Sequence, residues 1–580
     1  MAQHHKTIQQ QLALQILLAD GLVKSVKQLQ PSKVDCSEIA KLAAQLAHLL
    51  RSTARLVSSF TTAFYDRPLG AIFSNLSLNL ERAQTLVRKC KQRSGIFRQV
   101  FAIATAADVR RVSNVLESSI ADIRWLLSVF VPDDNAGVIN PSLPPIASND
   151  PVLAWVWSNI ATVQHSTRLK DRVEAANSLG SLAGDSDRNK KMIVEEDGIP
   201  PLLKLLKDGA SPESQIAAAS TLLALATDEE TIGSFVRSQA IPAIVQALND
   251  STSVVVRTNV INLVSKMAEI DSRVQEDFGR ENVMRPIVTF LANDIVLDDV
   301  TYHFNSSLSF NKRKETATAS PEQKLNLKIS CARALWSLSK DSLSNSRKIT
   351  ETKALICLAK LIEHSTDETQ ELQINCLKTV TELASVAESN PELRRQVFKP
   401  NLPAARALLD QLLRVVNHEP NPKLVVPAIT IIGSLARTFP AKETRILGPL
   451  VSKLDHEVTE IANESVITLT KFICPDNFNR VEHSNAILEF DGVPRVIGFL
   501  KSSENIKIQV LGVRLLCYLV LNVGGNSRVL EEGGVVSVIE NGGRNVVAQC
   551  PDMKELVAKA VHHLNVFQGG GRMHRQGCVP

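Results

Sequence analysis

The sequence is poor in aromatic residues and in long uncharged runs, and each shortage excludes a class of protein. Among 580 residues there are only 4 Trp, 3 Tyr and 18 Phe. This disfavours β-sandwiches and stacking platforms for single-stranded nucleic acid, because both use aromatic side chains heavily. No run of about 18 uncharged apolar residues occurs, which argues against a membrane-spanning helix. With 44% hydrophobic and 22% charged residues, the chain is expected to build its core from Leu, Ala, Val and Ile.

The cysteines and the amino-terminal segment bear on the expected compartment. The nine cysteines are scattered and include no C-x-x-C pair, a pattern that predicts reduced, buried thiols rather than disulfides or a zinc site. The first residues lack the apolar core and cleavage site of a secretory signal, and Ala2 excludes N-myristoylation. We therefore expect a cytoplasmic protein, with the plasma-membrane surface and the nucleus as further locations.

Charge is distributed unevenly along the chain. The net charge is +5 overall, but residues 1–131 contain 17 Lys and Arg against 8 Asp and Glu, a balance of +9 that leaves −4 for the rest. The densest basic run consists of Arg88, Lys89, Lys91, Arg93 and Arg98. It predicts binding to anionic lipid or to an acidic partner, with a solvated rim of a helical bundle as the alternative. Cys90 inside the run is either an acylation site or a buried thiol.

A repeat organises most of the chain. Gly198-Ile-Pro-Pro-Leu is echoed by Ala240-Ile-Pro-Ala-Ile, and Gly492-Val-Pro-Arg-Val by Gly534-Val-Val-Ser-Val, both at a spacing of 42 residues. Each box precedes a second, longer helical pattern, and this period with paired helices is typical of HEAT and armadillo arrays. The Gly-Ile/Val-Pro box favours armadillo. Long helices are predicted at 169–183, 213–226, 253–268, 323–339, 370–387, 422–437, 457–473, 504–521 and 553–567.

These patterns predict an all-α chain in which an amino-terminal helical bundle is followed by an armadillo-repeat α-solenoid superhelix. The bundle, 1–131, has four or five helices at about 6–29, 33–64, 71–93 and 97–130, the number depending on whether the last is broken near Thr105. The remaining predicted segments are a Pro-rich linker or packed connector at 132–150, an array of about nine units at 151–567 with an exposed loop at 298–322, and a flexible tail at 568–580. Within the loop, Lys312-Arg-Lys314 is a nuclear signal, part of a phospho-regulated loop or a solubilising run.

Four motifs resemble the plant Armadillo Repeat Only family. They are Tyr65-Asp-Arg-Pro68, the run from Leu86 to Phe101, Leu116-Glu-Ser-Ser-Ile-Ala-Asp-Ile-Arg-Trp-Leu-Leu127 and Leu143-Pro-Pro-Ile-Ala-Ser-Asn-Asp-Pro151. The resemblance implies a role in polarised tip growth, through regulators of Rho-of-plants GTPases or armadillo-repeat kinesins. A U-box ligase is the weaker alternative, since no U-box segment lies between bundle and array.

The array is expected to bind protein partners in a groove lined by its long helices. Importin-like members place Trp and Asn ladders there. The Trp places here hold Asn177, Ser220 and Asn262, and the Asn places hold Ser181, Ala224 and Lys266. The ladder is therefore largely absent, which favours a scaffold over an importin-like nuclear adaptor.

No combination of residues predicts an enzyme. The segment from His456 to Glu460 imitates a zinc-protease helix but lacks the second histidine, and the glycine pairs lack the lysine of a phosphate-binding loop. We therefore expect a non-enzymatic scaffold with no cofactor, no metal, no nucleic acid and no small-molecule substrate.

Overall fold

The protein is all-α, as predicted. The structure, a computed structural model, describes residues 8–28, 36–60, 64–92, 100–130, 143–208, 211–293, 319–363, 367–440, 443–502, 505–523, 530 and 534–575, and every regular element in these ranges is a helix. Two compact units divide the chain: the amino-terminal unit, Met1–Ala247, and the carboxy-terminal unit, Leu248–Pro580. This division follows packing, whereas the limits predicted from the sequence follow motifs and stay a prediction.

Four long helices open the amino-terminal unit. They are α1 (Ile8–Lys27), α2 (Ser37–Ser59), α3 (Arg67–Gln92) and α4 (Val100–Phe130). Apolar residues at helical spacing form them; in α2, for example, Ile39, Leu46 and Leu50 are completely buried. The predicted division near Thr105 is wrong, because α4 is continuous there. The segment around Thr105 is rich in alanine and contains neither Gly nor Pro, so it favours an unbroken helix.

The described end of the predicted linker is a packed connector. A short 3₁₀ helix spans Pro145–Ala147, and Ala147 is buried. The backbone N–H of Ile146 donates to Oδ1 of Asp122 on α4 over 2.9 Å. Ala147 and the bond to Asp122 therefore hold this segment against the bundle, while Leu143 is exposed; residues 131–142 lie outside the described part.

The helices that follow are arranged in repeats of up to three. The shorter first and second helices are α5 (Pro151–His165), α7 (Asp187–Glu195), α8 (Ile199–Asp208), α10 (Glu229–Arg237), α11 (Ala240–Asp250), α13 (Ser272–Arg280), α14 (Met284–Leu291), α16 (Leu343–Glu351), α17 (Ala354–Glu363), α19 (Pro391–Val397), α20 (Pro403–His418), α22 (Leu447–Ser452), α24 (Arg480–Glu489), α25 (Gly492–Lys501) and α27 (Val535–Gln549).

A third helix ends each repeat, and one stands at each of the nine predicted places; in all but one repeat it is longer than the helices before it. These third helices are α6 (Leu169–Asp185), α9 (Pro212–Leu225), α12 (Val254–Ile270), α15 (Pro321–Ser339), α18 (Gln370–Ser389), α21 (Pro422–Ser434), α23 (Thr459–Ile473), α26 (Ile506–Val523) and α28 (Lys554–Arg575). In the amino-terminal unit α6 packs on α9. In the carboxy-terminal unit, third helices from α12 to α28 pack in chain order.

The left-handed residue in the turn between first and second helices is an aspartate, not the glycine that follows it. The sequence pattern suggests that Gly198 breaks the helix, but the left-handed residue is Asp197, with φ 58°. Gly198 is needed for space, because a Cβ there would lie 2.6 Å from Cγ2 of Ile193. Asp491 repeats the arrangement with φ 57°. An aspartate tolerates this conformation better than most residues do. The turn therefore needs two residues: an aspartate that adopts the left-handed conformation and a glycine that leaves space for the isoleucine side chain.

Three further segments differ from or lie outside the expectations. The predicted flexible tail, 568–580, begins within α28, which runs to Arg575, and its flexibility stays a prediction. The predicted loop 298–322 falls mostly outside the described residues, and its last two residues begin α15 behind a Ser320 capping box. One described helix, α26, is long and apolar enough to span a membrane. It packs here between α23, α27 and α28.

Candidate functional site

The groove candidates of the amino-terminal unit lie on the solvent side of two packed third helices. Asn177 and Ser181 are exposed on α6, one turn apart, while Ser220 is exposed and Ala224 half-buried on α9. The opposite side of α6 is formed by buried Ala176, Leu179 and Ala183. At these four positions the two helices therefore carry short, uncharged side chains, which leaves small polar groups accessible to a ligand.

The other two candidates lie on α12 in the carboxy-terminal unit. Asn262 is half-buried and Lys266, one turn later, is exposed. Oδ1 of Asn262 is buried without a hydrogen-bond partner. These two residues thus share a helix face, and that face carries a positive charge where the α6 and α9 positions carry none; their role in a groove stays a prediction.

Buried threonine hydroxyls fix neighbouring third helices against each other. Oγ1 of Thr221 on α9 donates to the carbonyl oxygen of Ala176 on α6 over 2.8 Å. The same bond joins Thr379 to Ala332 (3.0 Å) and Thr468 to Ile429 (3.1 Å) in the carboxy-terminal unit. Since each hydroxyl is satisfied across the helix pair, the register of the exposed residues on the far side is fixed as well.

In the carboxy-terminal unit, charged side chains link the exposed edges of third helices. Nη2 of Arg333 on α15 lies 2.7 Å from Oε1 of Glu371 on α18. Nζ of Lys471 on α23 lies 2.8 Å from Oε2 of Glu388 on α18 and so bridges past α21. Both pairs are partly exposed, so their contribution to stability is small, of the order of 0–1 kcal/mol each. These charges are already paired within the chain, whereas the candidate positions on α6 and α9 carry no charge.

An aromatic residue of α15 has a cation from α18 over its ring. Nζ of Lys378 on α18 is 4.3 Å from the ring centroid of Trp336 on α15, and both residues are half-buried. Sequence reasoning missed this contact. The signal was present, because Lys378 follows Trp336 by 42 residues, the same period as the repeat boxes.

The motif Tyr65-Asp-Arg-Pro68 joins the bundle to the first helices of the array, within the amino-terminal unit. The Tyr65 hydroxyl donates to the carbonyl oxygen of Glu196 over 2.9 Å, and Nε of Arg67 lies 2.5 Å from Oδ2 of Asp197. Burial raises the pKa of the Tyr65 phenol, and the nearby Glu196 and Asp197 carboxylates raise it further. The tyrosine therefore stays a neutral donor, directed at the α7–α8 turn that carries the left-handed Asp197.

A histidine completes this junction. Nε2 of His165, at the end of α5, accepts the backbone N–H of Tyr65 over 3.1 Å. Its ring stacks with Phe64 at 5.6 Å and lies 4.5 Å from the ring of Phe60. Burial lowers the pKa of His165 to about 4, and the positive charge of Lys204 acts in the same direction. The imidazole is therefore neutral at physiological pH and accepts a hydrogen bond inside an aromatic cluster.

The motif from Leu116 to Leu127 supplies a buried carboxyl to the same junction. Asp122 is 1% exposed, and burial raises its pKa while the hydrogen bond from the Ile146 N–H opposes that rise. One turn away, Trp125 packs on Trp157 of α5 with ring centroids 6.1 Å apart. The indole N–H of Trp157 donates to Oε2 of Glu196 over 2.7 Å. Three of the motifs that suggested a family thus meet at one junction.

Only part of the basic run lies within the described side chains. Arg88 and Lys89 are exposed near the end of α3. Lys91 lies in the same helix, but its side chain is outside the described part, as are Arg93 and Arg98 altogether. Cys90 is half-buried. The described residues therefore place two of the five cations on the bundle surface, and a shared face for all five stays a prediction.

Exposed leucines accompany the basic residues on the bundle. Leu17 on α1 is 68% exposed and Leu78 on α3 is 52% exposed. Nε2 of Gln15 donates to Oγ of Ser77 over 2.5 Å, which brings these two parts of α1 and α3 together. The last turn of α1 carries Lys24 and Lys27. Sequence reasoning missed the leucines because an isolated apolar residue in a helical pattern is usually part of the core.

Histidines and cysteines show no catalytic or metal-binding grouping in the part of the chain that the structure describes. No group of three or more His, Cys, Asp or Glu there could hold a metal ion. Nδ1 of His456 accepts the N–H of Val458 over 3.1 Å, as in a helix start. Burial raises the pKa of Cys331 and Cys376 well above the ordinary thiol range, so both are inert thiols in the core.

Comparisons with known families agree with the two parts of the chain. Residues 186–227, which cover α7, α8 and α9, match the armadillo/β-catenin-like repeat. Residues 9–131 match a domain of unknown function, DUF7792, whose span covers the bundle. The chain is thus similar to an armadillo repeat over residues 186–227 and to that domain over residues 9–131. The comparison with curated proteins finds no match.

One solved structure supports the fold, and two more are similar to part of the chain. An engineered protein from the Northeast Structural Genomics Consortium is similar over 77% of this chain and 95% of its own, with 18% identity and a TM-score of 0.56. A designed armadillo repeat protein is similar over 48% of this chain and 98% of its own, with 18% identity and a TM-score of 0.37. A third, with the same values, is a designed armadillo repeat protein in complex with the peptide (KR)4. At these identities the likeness concerns the fold alone.

Proposed function

We propose that this protein is a non-enzymatic scaffold whose third helices bind an extended segment of a partner protein. The observation that carries the proposal is the pair α6 and α9. Thr221 fixes their register from the buried side, and Asn177, Ser181 and Ser220 stand exposed on the other side. Packed helices lie about 8–10 Å apart, the length of about three residues of extended chain. Successive third helices can therefore contact successive parts of one peptide.

Small side chains favour recognition of the peptide backbone over recognition of charge. Exposed amides and hydroxyls such as those of Asn177 and Ser181 can donate to and accept from main-chain groups. They offer neither an aromatic stack nor a carboxylate for a lysine. This supports the scaffold over an importin-like adaptor, which would grip a basic peptide with Trp and Asn at these places.

A peptide library displayed on phage and selected against the full chain tests this role. We expect enriched peptides whose binding falls at least tenfold in Asn177→Arg, because the long cation fills the surface between α6 and α9. Gln246→Arg, an equal change on the exposed side of the second helix α11, is the matched control and should bind as the wild type does. Peptides that bind all three proteins equally, or a selection that enriches none, would contradict the proposal.

The partners proposed from the family resemblance are regulators of Rho-of-plants GTPases or armadillo-repeat kinesins in polarised growth. The order of a helical domain at 9–131 followed by armadillo repeats supports this proposal. Proximity labelling in the native cell, with the wild type compared with Asn177→Arg, tests it directly. Loss of such regulators from the variant's neighbours supports the role; their absence from the wild-type neighbours contradicts it.

A second proposed function is attachment of the bundle to an anionic membrane surface. Short connections make successive bundle helices antiparallel, so α1 and α3 run in the same direction and their basic ends lie together. Four basic residues are exposed there: Lys24, Lys27, Arg88 and Lys89. The exposed residues Leu17 and Leu78 lie earlier in the same two helices. Cations near anionic headgroups contribute about 1 kcal/mol each, and the leucines add apolar contact. A plasma-membrane and cytoplasmic location follows from this proposal.

A further inference from the structure

We propose that Phe478 of one copy of this chain inserts into an apolar cavity of a second copy, so that the protein associates with itself through its carboxy-terminal unit. The cavity lies between α25, α26 and α27. The contact uses none of the groove candidates, so it stands apart from the proposed peptide binding.

Phe478 projects from a loop that is held in place. It is 98% exposed, more than any other large apolar residue in the described part of the chain. Nδ2 of Asn477 donates to the carbonyl oxygen of Ala436 over 3.3 Å. Nδ2 of Asn479 donates to the carbonyl oxygen of Phe439 over 3.1 Å. Both neighbours of Phe478 thus anchor the loop to the segment after α21, and little conformational freedom is lost when the ring is bound.

The cavity has the size and the lining for a phenyl ring. Its volume is about 250 Å³, whereas a cavity of about 150 Å³ with an apolar lining already holds benzene. Its apolar walls are Ile497 and Leu500 of α25, Val513 of α26 and Val538 of α27. A Cβ at Gly542 of α27 would lie 3.5 Å from Cγ2 of Val513. Glycine is unfavourable inside a helix, and here its missing side chain keeps the cavity open.

The same copy does not fill its own cavity with this ring. Both features belong to the carboxy-terminal unit, in which Phe478 stands almost fully exposed. The bonds of Asn477 and Asn479 hold the loop away from the cavity. A second copy offers the same cavity without that restraint.

The surface around Phe478 offers a carboxylate. Within four residues of Phe478 the chain carries two carboxylates, Asp476 and Glu482, against one cation, Arg480. Nη2 of Arg437 lies 3.1 Å from Oδ2 of Asp476. Glu482 is exposed in the first turn of α24 and forms no ion pair within the described ranges. Glu482 is therefore the carboxylate that can meet a cation of a second copy.

The surface around the cavity is basic. Lys501 is exposed and is the charged residue that lines the cavity. Within two residues of the lining, the chain carries four more cations against one carboxylate: Arg495, Lys507, Arg514 and Arg544 against Glu540. One of these cations is paired, since Nη1 of Arg495 lies 2.5 Å from Oδ2 of Asp455. The two surfaces are thus complementary in charge as well as in shape, which favours a second copy as the occupant of the cavity.

The contact is small and centred on one aromatic side chain. A buried aromatic anchor can supply most of the affinity of such an interface, but the small area makes the association weak and dependent on concentration. A pair of copies joined by one contact leaves one ring and one cavity unoccupied, so larger assemblies can form.

Sedimentation velocity of the full chain under reducing conditions, over a range of concentrations, tests the contact. We expect the wild type to form dimers and larger species as its concentration rises. Phe478→Ser removes the ring and should weaken association at least tenfold. Gly542→Leu fills the cavity, because a Cβ is accommodated there, and should have the same effect. Leu343→Ser on α16, which also removes an exposed apolar side chain of this unit, is the matched control and should associate as the wild type does.

A mixture of the two variants gives the sharpest result. Phe478→Ser keeps the cavity and Gly542→Leu keeps the ring, so together they should form one-to-one dimers that do not grow, although neither associates alone. In a further pair of variants, Lys501→Glu should weaken association, and Glu482→Lys in the same chain should restore it.

A wild type that stays monomeric at every concentration would overturn the proposal. Wild-type association in Phe478→Ser, or a mixture that stays monomeric, would overturn it as well. Absence of rescue by the charge exchange would overturn the pairing of Glu482 with Lys501. Circular dichroism of each variant establishes that it is folded, and Phe478→Ser changes a residue that packs against almost nothing.

Discussion

The Tyr65 hydroxyl donates a hydrogen bond to the carbonyl oxygen of Glu196 across 131 residues of sequence. Glu196 directly follows α7, and the next residue is the left-handed Asp197 in the turn to α8. One buried phenol therefore ties the loop between two bundle helices to the turn of an armadillo repeat. The bundle is thus joined to the array by directional bonds within the amino-terminal unit, in addition to the connector.

Replacement of Tyr65 by Phe should weaken this junction by about 1–2 kcal/mol, because the Glu196 carbonyl loses its donor while most of the ring packing stays. Three of the four tryptophans, Trp125, Trp155 and Trp157, lie in α4 and α5. Urea unfolding followed by tryptophan fluorescence in a Trp336→Phe background therefore reports this unit. The midpoint should fall to lower urea.

Arg67→Ala is the comparison for the first prediction. Its ion pair with Asp197 is about half exposed, so we expect a loss of less than about 1 kcal/mol. Tyr518→Phe on α26 should leave the fluorescence transition unchanged. A Tyr65→Phe midpoint equal to that of the wild type would show that the hydrogen bond does not hold the junction.

His165 should make the junction sensitive to acid. Its pKa is lowered to about 4 in the folded protein, against an ordinary value near 6.5. Between these values the unfolded chain binds a proton that the folded chain does not. Stability is therefore complete above about pH 6.5 and is lost as the pH falls towards 4. For this half-buried group we expect a loss of the order of 1–2 kcal/mol at pH 5, after allowance for solvent screening.

His165→Gln keeps a hydrogen-bond acceptor but does not titrate. The difference in unfolding free energy between pH 7.5 and pH 5, measured by the same fluorescence transition, should shrink in this variant. His418→Gln, at an exposed position on α20, is the control and should keep the wild-type difference. An unchanged difference in His165→Gln would assign the acid sensitivity of this unit to other groups.

Gly433 and Thr468 should show strong coupling. A Cβ at Gly433 would lie 2.5 Å from Oγ1 of Thr468, whose hydroxyl donates to Ile429. Gly433→Ala should cost about 1–3 kcal/mol by overpacking, and Thr468→Ala relieves that contact, so the double variant should lose less than the sum. Thermal unfolding by circular dichroism measures the cycle.

Gly184→Ala is the matched control for this cycle. It is also a helical glycine, but a Cβ there meets nothing within 4 Å. Because alanine has the higher helix propensity, this substitution should be neutral or stabilising by up to about 1 kcal/mol. Additive losses at Gly433 and Thr468 would show that the two third helices adjust to the extra methyl group.

Arg88→Glu combined with Lys89→Glu should reduce binding to phosphatidylserine vesicles at least tenfold, because it reverses two exposed charges near the anionic surface. Wild-type binding should weaken as salt is raised. Lys423→Glu with Lys507→Glu makes the same change in charge on exposed residues of the carboxy-terminal unit. Equal vesicle binding by the two double variants would exclude the bundle end as the membrane-binding surface.

The sequence by itself determined the helical class and the positions of the long helices. Both are read from local patterns, since a 42-residue echo and apolar residues at helical spacing depend only on neighbours along the chain. It also predicted that Asn177 and Ser220 lie on third helices, because their place within the helix is set by the same periodicity. It did not locate the left-handed residue at Asp197, since the spacing of the box fits either of its two residues.

Only the tertiary structure decided which distant residues meet. Tyr65 and Glu196, or Asp122 and Ile146, carry no periodic signal that relates one to the other; their contact depends on how the bundle packs against α5 and α7. The Trp336–Lys378 contact follows the repeat period, but it needs the stagger between α15 and α18, which buried side chains such as Thr379 set. Contacts of this kind arise from packing between elements, and packing is a property of the folded chain as a whole.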